Sequence, residues 1–368
     1  MRNEIRAARS KPLLASSNQS TRLTATIVSS GAEILELTPF VYSLAEEPGM
    51  TAPRFFLASV LPQYWKPRVV VVSRGPGIAG LLYCKERVVA GIGTGIVFGD
   101  DTLGAMIVAR PGEADAVLHC AVEALLEHVV ALRFRVGSGL LRVMERAKAE
   151  AHIYSFRSEH HAHLKLPLTY DGFLTLVGPC TRHNLRRYRR RSESVGNEFR
   201  PDLEFSEFCA AARDLFPNGS FATSKRELER ALDMISAMPT TLRLLIGLRR
   251  ANGEWISLAG GWYDGSRVIL IMQMNDRRMG RDSLSLVLRS YLIEMLVKRG
   301  FREIIFWAGT SAPLSSYTTR GEEFVACVDA QSHPWRMVRL ACATLAKLAP
   351  FSLGDWLKWV VPNVGLGG

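Results

Sequence analysis

The pattern of apolar and polar positions in the first half of the chain predicts three strands, then a helix, then another strand. The first two strands flank the turn Gly75-Pro76-Gly77, where glycine and proline favour a chain reversal. In the helix, apolar residues from Val117 to Leu125 recur at spacings of three and four, so they share one face. The predicted elements are strands over residues 69–72, 78–83 and 88–98, a helix over 113–128 and a strand over 131–136.

The second half of the chain repeats this order with different residues. Turn signals at Ala251-Asn252-Gly253 and Asp264-Gly265-Ser266 separate three strands. A long amphipathic helix follows; Asp282 or Ser283 can cap its start, and Gly300 can end it. The predicted elements are strands over residues 242–248, 255–262 and 267–274, the helix between residues 283 and 300, and a strand over 303–307.

The repeated order favours an α+β fold with two tandem units, each a mixed sheet flanked by helices. Helical patterns also occur at residues 179–195, 202–214 and 225–238. A flexible polar tail is expected at residues 1–28, the two units at 29–150 and 151–334, and a helical extension at 335–368. That extension either packs on the protein or lies as an amphipathic helix on a membrane surface.

Composition changes this picture mainly through charge. Among 368 residues, 46 Lys and Arg oppose 35 Asp and Glu, a formal net charge of +11 that favours anionic partners. Six cysteines without a Cys-x-x-Cys pair argue against zinc and for a reducing compartment. No metal site is expected at His160, His161 and His163, which we interpret as a linker between the units. No apolar stretch reaches the roughly 20 residues that span a bilayer, so we expect a cytoplasmic protein, with peripheral membrane contact left open.

Three segments of the second half carry a family signal in the expected order. The first is the arginine-rich helix from Thr181 to Arg191, and the second is the hairpin from Trp255 to Asp276. The third is the loop from Arg277 to Ser283, followed beyond the helix by residues 300–306. Together they resemble the FemAB-like and CelD-like (cellulose-biosynthesis-type acetyltransferase) branch of the GNAT superfamily. The first half of the chain is similar only in the order of its strands and helices.

The resemblance implies two tandem GNAT-like units and an acyl-CoA donor, with acetyl-CoA as the simplest case. GNAT enzymes hold the CoA pyrophosphate at a helix start, where unpaired N–H groups and the helix dipole attract phosphate. Here that loop is Arg277-x-x-Gly280-x-Asp282, with Asp282 where a small residue is usual. Backbone groups of the preceding strand would hold the pantetheine arm and polarise the thioester carbonyl. The implied cofactor-binding residues are Gln273, Met274, Asn275, Arg277, Arg278, Gly280, Arg281, Asp282 and Ser283.

The resemblance also implies an acid and a base. A lysine-like amine, with a pKa of about 10.4, must lose a proton before it attacks. Asp276 and Glu254 are the candidate bases, and Tyr317 is the candidate acid for the leaving thiolate. Each of the three residues also has an ordinary structural interpretation, as a turn residue for the carboxylates and as a core or surface residue for the tyrosine.

The arginine-rich segment is expected to meet anions, because six arginines crowd residues 182–191. The residues expected to contact an anionic ligand are Arg182, Arg186, Arg187 and Arg190. Donor phosphates, an anionic acceptor and a membrane surface are all open as that ligand. Nucleic acid is less favoured, except as a charged tRNA, because the sequence has no zinc-finger or RNA-recognition signature.

Three functions stay open at this point. The leading one is an N-acyltransferase that moves an acyl group from acyl-CoA to a primary amine on a small molecule, or in cell-envelope or polysaccharide metabolism. The second is an aminoacyl-tRNA-dependent transferase, like the FemAB proteins that extend peptidoglycan bridges. The third is a non-catalytic GNAT-like module at a membrane surface, which Asp282 and the lack of an obvious base favour.

Overall fold

The computed structural model describes residues 22–89, 91–136, 152–220, 224–307, 309–310 and 313–329. Of residues 152–160, 281, 321–323 and 329 it describes the backbone alone. The predicted helical extension at residues 335–368 lies outside the described residues, as does nearly all of the predicted N-terminal tail.

The first half of the chain contains the predicted order of three strands, a helix and a strand, which is confirmed in β2, β3, β4, α4 and β6. Helix α4 forms because its buried residues share one face and cover the sheet. Residues 23–28, which we expected in the flexible tail, instead form a strand that pairs with β2. The elements are β1 (Leu23–Val28), α1 (Gly31–Glu36), α2 (Thr38–Leu44), α3 (Pro53–Ser59), β2 (Trp65–Arg74), β3 (Gly77–Val89), β4 (Ile92–Asp100), β5 (Ile107–Ala109), α4 (Ala114–His128) and β6 (Ala131–Val136).

The second half repeats the order in β9, β10, β11, α9 and β12, as predicted. The three helices between the repeats are also confirmed, and α8 begins with a capping box in which Ser224 and Glu227 satisfy each other's backbone N–H groups. The elements are β7 (His152–Lys165), α5 (Tyr170–Leu176), α6 (Pro179–Ser194), β8 (Glu198–Arg200), α7 (Phe205–Leu215), α8 (Lys225–Ala237), β9 (Arg243–Arg249), β10 (Trp255–Asp264), β11 (Arg267–Asn275), α9 (Leu284–Lys298), β12 (Glu303–Phe306) and β13 (Thr319–Asp329).

One continuous sheet joins the two halves. Its order is β1-β2-β3-β4-β6-β13-β7-β12-β11-β10-β9-β8, with β5 paired to β3 off this path. Strand β13 is antiparallel to both β6 and β7, so Phe324 lies opposite Val136 on one side and Ser155 on the other. The linker predicted around His160, His161 and His163 is wrong, because these residues lie in β7, an interior strand of this sheet.

Helices cover both faces of the sheet in the second half. Helices α5, α6 and α9 pack with the strands into one hydrophobic core. Helices α7 and α8 pack with the strands into a second core, which is formed by a different set of residues. Helix α3 of the first half packs into this second core, where Phe55 meets the ring of Trp262 edge-on at 5.1 Å between centroids. The two halves therefore share side-chain packing as well as the sheet.

Candidate active site at the divergence of two parallel strands

Strands β11 and β12 run parallel for a short distance and then separate. Residues 267–270 pair with residues 303–306, and the last contact is a hydrogen bond from Trp307 N to Leu270 O at 3.0 Å. Beyond this point β11 continues to Asn275, and no described strand pairs with it on that side. We call the space between residues 271–275 and the chain that follows β12 the wedge.

A bulge in β11 opens the wedge. Gly260 lies opposite Met272 and Gly261 lies opposite Leu270, so Ile271 has no counterpart on β10. The extra residue bends the strand away from its former neighbour. Gly261 is needed here, because a Cβ at this position would lie 1.9 Å from Ile269 O.

The bulge leaves a backbone N–H aimed into the wedge. Asp276 N donates to Ile256 O on β10 at 2.9 Å, whereas Asn275 N donates away from β10, to Ser220 Oγ at 3.3 Å. Because successive N–H groups of a strand point to opposite sides, the N–H of Gln273 faces the wedge like that of Asn275. The described residues give it no hydrogen-bond partner. Met274, between them, is fully buried in the core.

Arg289 of α9 lies across one side of the wedge, and the sequence analysis missed it. Its Nε donates to Gln273 Oε1 at 2.7 Å, its Nη1 donates to Thr310 Oγ1, and its guanidinium lies 4.9 Å from the ring centroid of Phe306. Burial lowers the pKa of Arg289 to about 10, which leaves it charged at neutral pH. The sequence did contain a signal for Arg289, because it is a charged residue among the buried positions of an otherwise apolar helix.

Arg278 holds both carboxylates that we predicted as bases. Its Nε lies 3.0 Å from each carboxylate oxygen of Asp276, and its Nη2 donates to Asp276 Oδ2 at 2.6 Å and to Glu254 Oε1 at 2.8 Å. Arg250 also pairs with Glu254 at 2.9 Å. The hydrogen bond from Arg278 is the largest influence on each acid and lowers the pKa of Asp276 and of Glu254. Both carboxylates therefore stay ionised but are weak bases.

The loop before α9 forms a short 3₁₀ turn over residues 277–282. Asp282 pairs with Arg191 of α6 at 2.9 Å, so its charge is offset from outside the loop. Arg277 and Gly280 are exposed, and a Cβ added at Gly280 would meet nothing within 4 Å, so the loop leaves open space there. Ser283 has a left-handed backbone with φ 49° and leads into α9, whose first N–H groups have no partner within the helix. The Arg281 side chain lies outside the described part of the chain.

Tyr317 lies at the start of helix α6. Its hydroxyl oxygen accepts a hydrogen bond from Gly178 N at 2.7 Å and lies 3.4 Å from the Thr181 hydroxyl. These hydrogen bonds lower the pKa of Tyr317, with Thr181 the larger cause, because they favour the phenolate. The structure places the tyrosine beside a helix N-terminus, a setting that the sequence did not predict.

The four arginines of α6 that we predicted as anion ligands divide into two groups. Arg182 bonds within the protein, where its Nη2 donates to Val177 O at 3.3 Å. Arg186, Arg187 and Arg190 are exposed, and no carboxylate of the described residues lies within ion-pair distance of them. The helix is anchored by its other side, through Leu185 in the core and through Arg189, which pairs with Glu294 of α9.

Within its described residues, the first half of the chain has no such wedge. Strand β4 pairs with β6 as far as Asp100 opposite Arg135, and Asp101 N extends the ladder with a hydrogen bond to Arg135 O at 2.8 Å. The following segment adds β5 to β3 and does not open the sheet. Of the two units, the second is therefore the one with a cleft at its parallel strand pair.

The described residues show neither a metal cluster nor a membrane-spanning helix. They contain no cluster of three His, Cys, Asp or Glu side chains that could hold a metal ion. Within the same residues, none of the helices has the length and apolar character needed to cross a membrane.

Solved structures with low sequence identity share the fold. The C-terminal domain of a protein described as a lysylphosphatidylglycerol synthetase from Agrobacterium fabrum gives a TM-score of 0.54 at 13% identity and covers 86% of this chain and 97% of its own. L-PGS from Bacillus licheniformis gives 0.53 at 14% identity, over 82% and 94% of the two chains. FemX gives 0.53 at 12% identity, over 82% and 96%. These likenesses concern the fold alone, and the predicted α+β fold with two tandem GNAT-like units is confirmed.

The sequence comparisons are narrower. No curated protein matches the chain. Residues 180–313 match the family model described as an acetyltransferase (GNAT) domain, and this stretch runs from α6 to the segment after β12. Residues 180–313 are therefore similar to a GNAT acetyltransferase domain, and the enzyme class is that of a transferase.

Proposed function

We propose that the second unit transfers an acyl group, acetyl in the simplest case, from acyl-CoA to a primary amine. The observation that carries this proposal is the wedge with the N–H of Gln273 aimed into it. A thioester whose carbonyl oxygen accepts this N–H gains a donor that is fixed before the reaction, and such a donor stabilises the oxyanion as it forms. Both strands that flank the wedge lie within the matched GNAT domain.

The donor binds with its phosphates at the loop and its thioester in the wedge. The exposed Arg277, the open space at Gly280 and the free N–H groups at the start of α9 favour a pyrophosphate there. Asp282 does not oppose this strongly, because Arg191 neutralises it. Arg289 holds the Gln273 side chain and Thr310 on the two flanks of the wedge, and so fixes its width.

The amine nitrogen attacks the thioester carbon, the new C–N bond forms, and the C–S bond breaks to release the thiolate. Tyr317, whose lowered pKa makes it a better proton donor than an ordinary phenol, is the proposed acid for that thiolate. Asp276 and Glu254 can accept the amine proton only when Arg278 releases one of them. We therefore propose that alignment of the two substrates supplies most of the rate.

The test measures release of the CoA thiol from acetyl-CoA and longer acyl-CoAs in the presence of a panel of primary amines. The diagnostic variant is Gly280→Ala, whose added methyl meets no atom within 4 Å in the free protein. It should leave the melting temperature unchanged and raise the donor KM, because the methyl occupies the space of the phosphates. Absence of both CoA binding and thiol release in the wild type would reject an acyl-CoA donor.

A charged tRNA is the second candidate donor, as in a FemAB-like transferase, and the exposed face of α6 supports it. Arg186, Arg187 and Arg190 form an arginine surface without carboxylate partners in the described structure, while Arg278 of the loop is already paired. Salt-dependent binding of bulk aminoacyl-tRNA tests this candidate. Each arginine that contacts a phosphate should, when it alone is replaced by Ala, reduce the slope of log K against log salt concentration by about 1.

The acceptor is proposed to be a small or cell-envelope amine, at a site reached from the cytoplasm or from a membrane surface. An acceptor that also carries anionic groups would suit the net charge of +11. A non-catalytic role is the outcome if neither donor binds and anionic vesicles do.

A further inference from the structure

A second cavity lies where α3, β3, β4 and α8 meet, between the two halves of the chain. Its volume is about 120 Å³. Its walls are largely aromatic and methionine side chains, and the main ones are Phe55, Phe56, Phe98, Met106, Met234 and Trp307. We call this cavity the junction pocket. It shares no residue with the loop at 277–283 or with β11.

Two cations, Lys85 and Arg230, enter this apolar cavity without an ion pair to a carboxylate of the described residues, although the charge of Glu227 on α8 partly opposes the effect of burial on the pKa of Arg230. The Nζ of Lys85 lies 4.9 Å from the ring centroid of Trp65 and makes no ion pair within the described chain. Arg230 of α8 donates from Nη2 to Ser59 O at 2.9 Å, and its Nε is buried without a hydrogen-bond partner in the described structure. Burial is the main influence on both residues and lowers the pKa of Lys85 and of Arg230.

The acid in the same cavity is already engaged. Asp100 accepts the hydroxyl of Thr102 at 2.7 Å and lies 3.8 Å from Nη1 of Arg135. Its charge raises the pKa of Lys85 but does not outweigh burial. The cavity therefore has an excess of positive charge.

An unpaired cation in an apolar setting is costly, and an anion that reaches it offsets that cost. An inorganic anion would leave the aromatic walls exposed to water, whereas the apolar group of an organic ligand would cover them. A cavity of about 150 Å³ holds a benzene ring; this one, at about 120 Å³, takes an apolar group no larger than a single ring. We propose that the junction pocket binds a small organic anion, a carboxylate or phosphate on a short apolar group. This site goes beyond the proposed function and does not depend on it.

The pocket adjoins the wedge through Trp307. The backbone N–H of this residue makes the last hydrogen bond between β12 and β11, and its side chain lines the cavity. The bound anion therefore lies next to the residue at which the parallel strands begin to separate.

Calorimetric titration tests the proposal with phenylacetate, phenyl phosphate, inorganic phosphate and the neutral phenethyl alcohol. Both aromatic anions should bind about tenfold or more tightly than the alcohol, and more tightly than inorganic phosphate. Lys85→Met and Arg230→Met should each remove the preference for the anion over the alcohol. Arg226→Met is the matched control, because Arg226 is exposed on the same helix and bonds to Gln63; it should keep the preference.

Equal binding of anion and alcohol, or no binding of any probe at millimolar concentration, overturns the proposal. So does a preference that survives in either Met variant when that variant is folded. Thermal unfolding shows whether each variant is folded, and Arg230→Lys, which keeps the charge, should retain the preference if Arg230→Met is unstable. No acyl donor is present in these titrations, so their failure is distinct from failure of the transferase proposal.

Discussion

Replacing Gln273 by proline tests whether its backbone N–H acts on the reaction. Proline has no N–H, and at this position the group faces the wedge and takes no part in the ladder with β10. The residue before it, Met272, lies in a strand, the conformation that a following proline requires. Gln273→Ala is the matched control, because it removes the same side-chain contacts with Arg289 and Ser285 and keeps the N–H.

The two variants separate the side chain from the backbone. Loss of the side chain leaves the Arg289 Nε without its acceptor, and we expect both variants to lose about 1–3 kcal/mol of stability on that account. Loss of one oxyanion donor costs about a hundredfold to a thousandfold in kcat. Gln273→Pro should therefore fall that far below Gln273→Ala in kcat, as measured by thiol release at saturating donor and amine.

The reasoning is refuted if the kcat of the folded proline variant is within threefold of the kcat of the alanine variant. A threefold difference corresponds to about 0.6 kcal/mol of activation free energy. Because the proline ring also adds a carbon at the wedge, the donor Kd must be measured for both variants. A variant with the α-hydroxy acid at position 273, which turns the amide into an ester, removes the N–H without adding bulk. It should reproduce the loss in kcat even if the proline variant does not fold.

Three further changes have outcomes that the structure fixes. Gly261→Ala places a methyl 1.9 Å from Ile269 O, so we expect a loss of more than about 3 kcal/mol in urea unfolding, above the usual range for overpacking. Burial raises the pKa of Asp101 to about 6, so folding disfavours its charged form. The free energy of unfolding should therefore fall by up to about 3 kcal/mol as the pH rises from 4 to 7. Asp101→Asn should remove that part of the pH dependence, seen as the difference between the two unfolding profiles. Arg289→Met should lower kcat about tenfold or more by freeing the Gln273 side chain, with a donor Kd that changes less, as measured by calorimetry.

Local patterns were enough to predict most elements of the fold. The β-branched run from Val69 to Val72 and the turn at Gly265 specify a strand and a hairpin through neighbours in sequence. Strands β7 and β13 were missed, because their pairing joins residues far apart in the chain. The histidines of β7 looked like a polar linker, since a strand in a shared interior ladder has no local signature that separates it from a loop.

The sequence predicted where along the chain the candidate site lies, but not the contacts between its residues. The loop after β11 and the backbone of Gln273 were predicted from the family resemblance and stay predictions as binding residues. Arg278 holds Asp276 within the local turn, two residues away. That Arg278 also holds Glu254, and that Arg191 holds Asp282, depends on packing between segments that are distant in sequence. These pairings decide which charges are free, so the sequence alone could not rank the loop arginines.

The parallel pairs β4/β6 and β11/β12 differ, and this difference indicates which of them carries the chemistry. In the first half the ladder between β4 and β6 continues past the end of β4, to the hydrogen bond from Asp101 N to Arg135 O. In the second half the bulge at Ile271 ends the ladder early, which is unfavourable for a sheet unless something replaces the lost hydrogen bonds. Ser220 replaces one of them at Asn275, but nothing among the described residues replaces that of Gln273. The N–H of Gln273, unpaired within the described residues and close to a bulge that requires Gly261, is the feature of this fold that we propose serves acyl transfer.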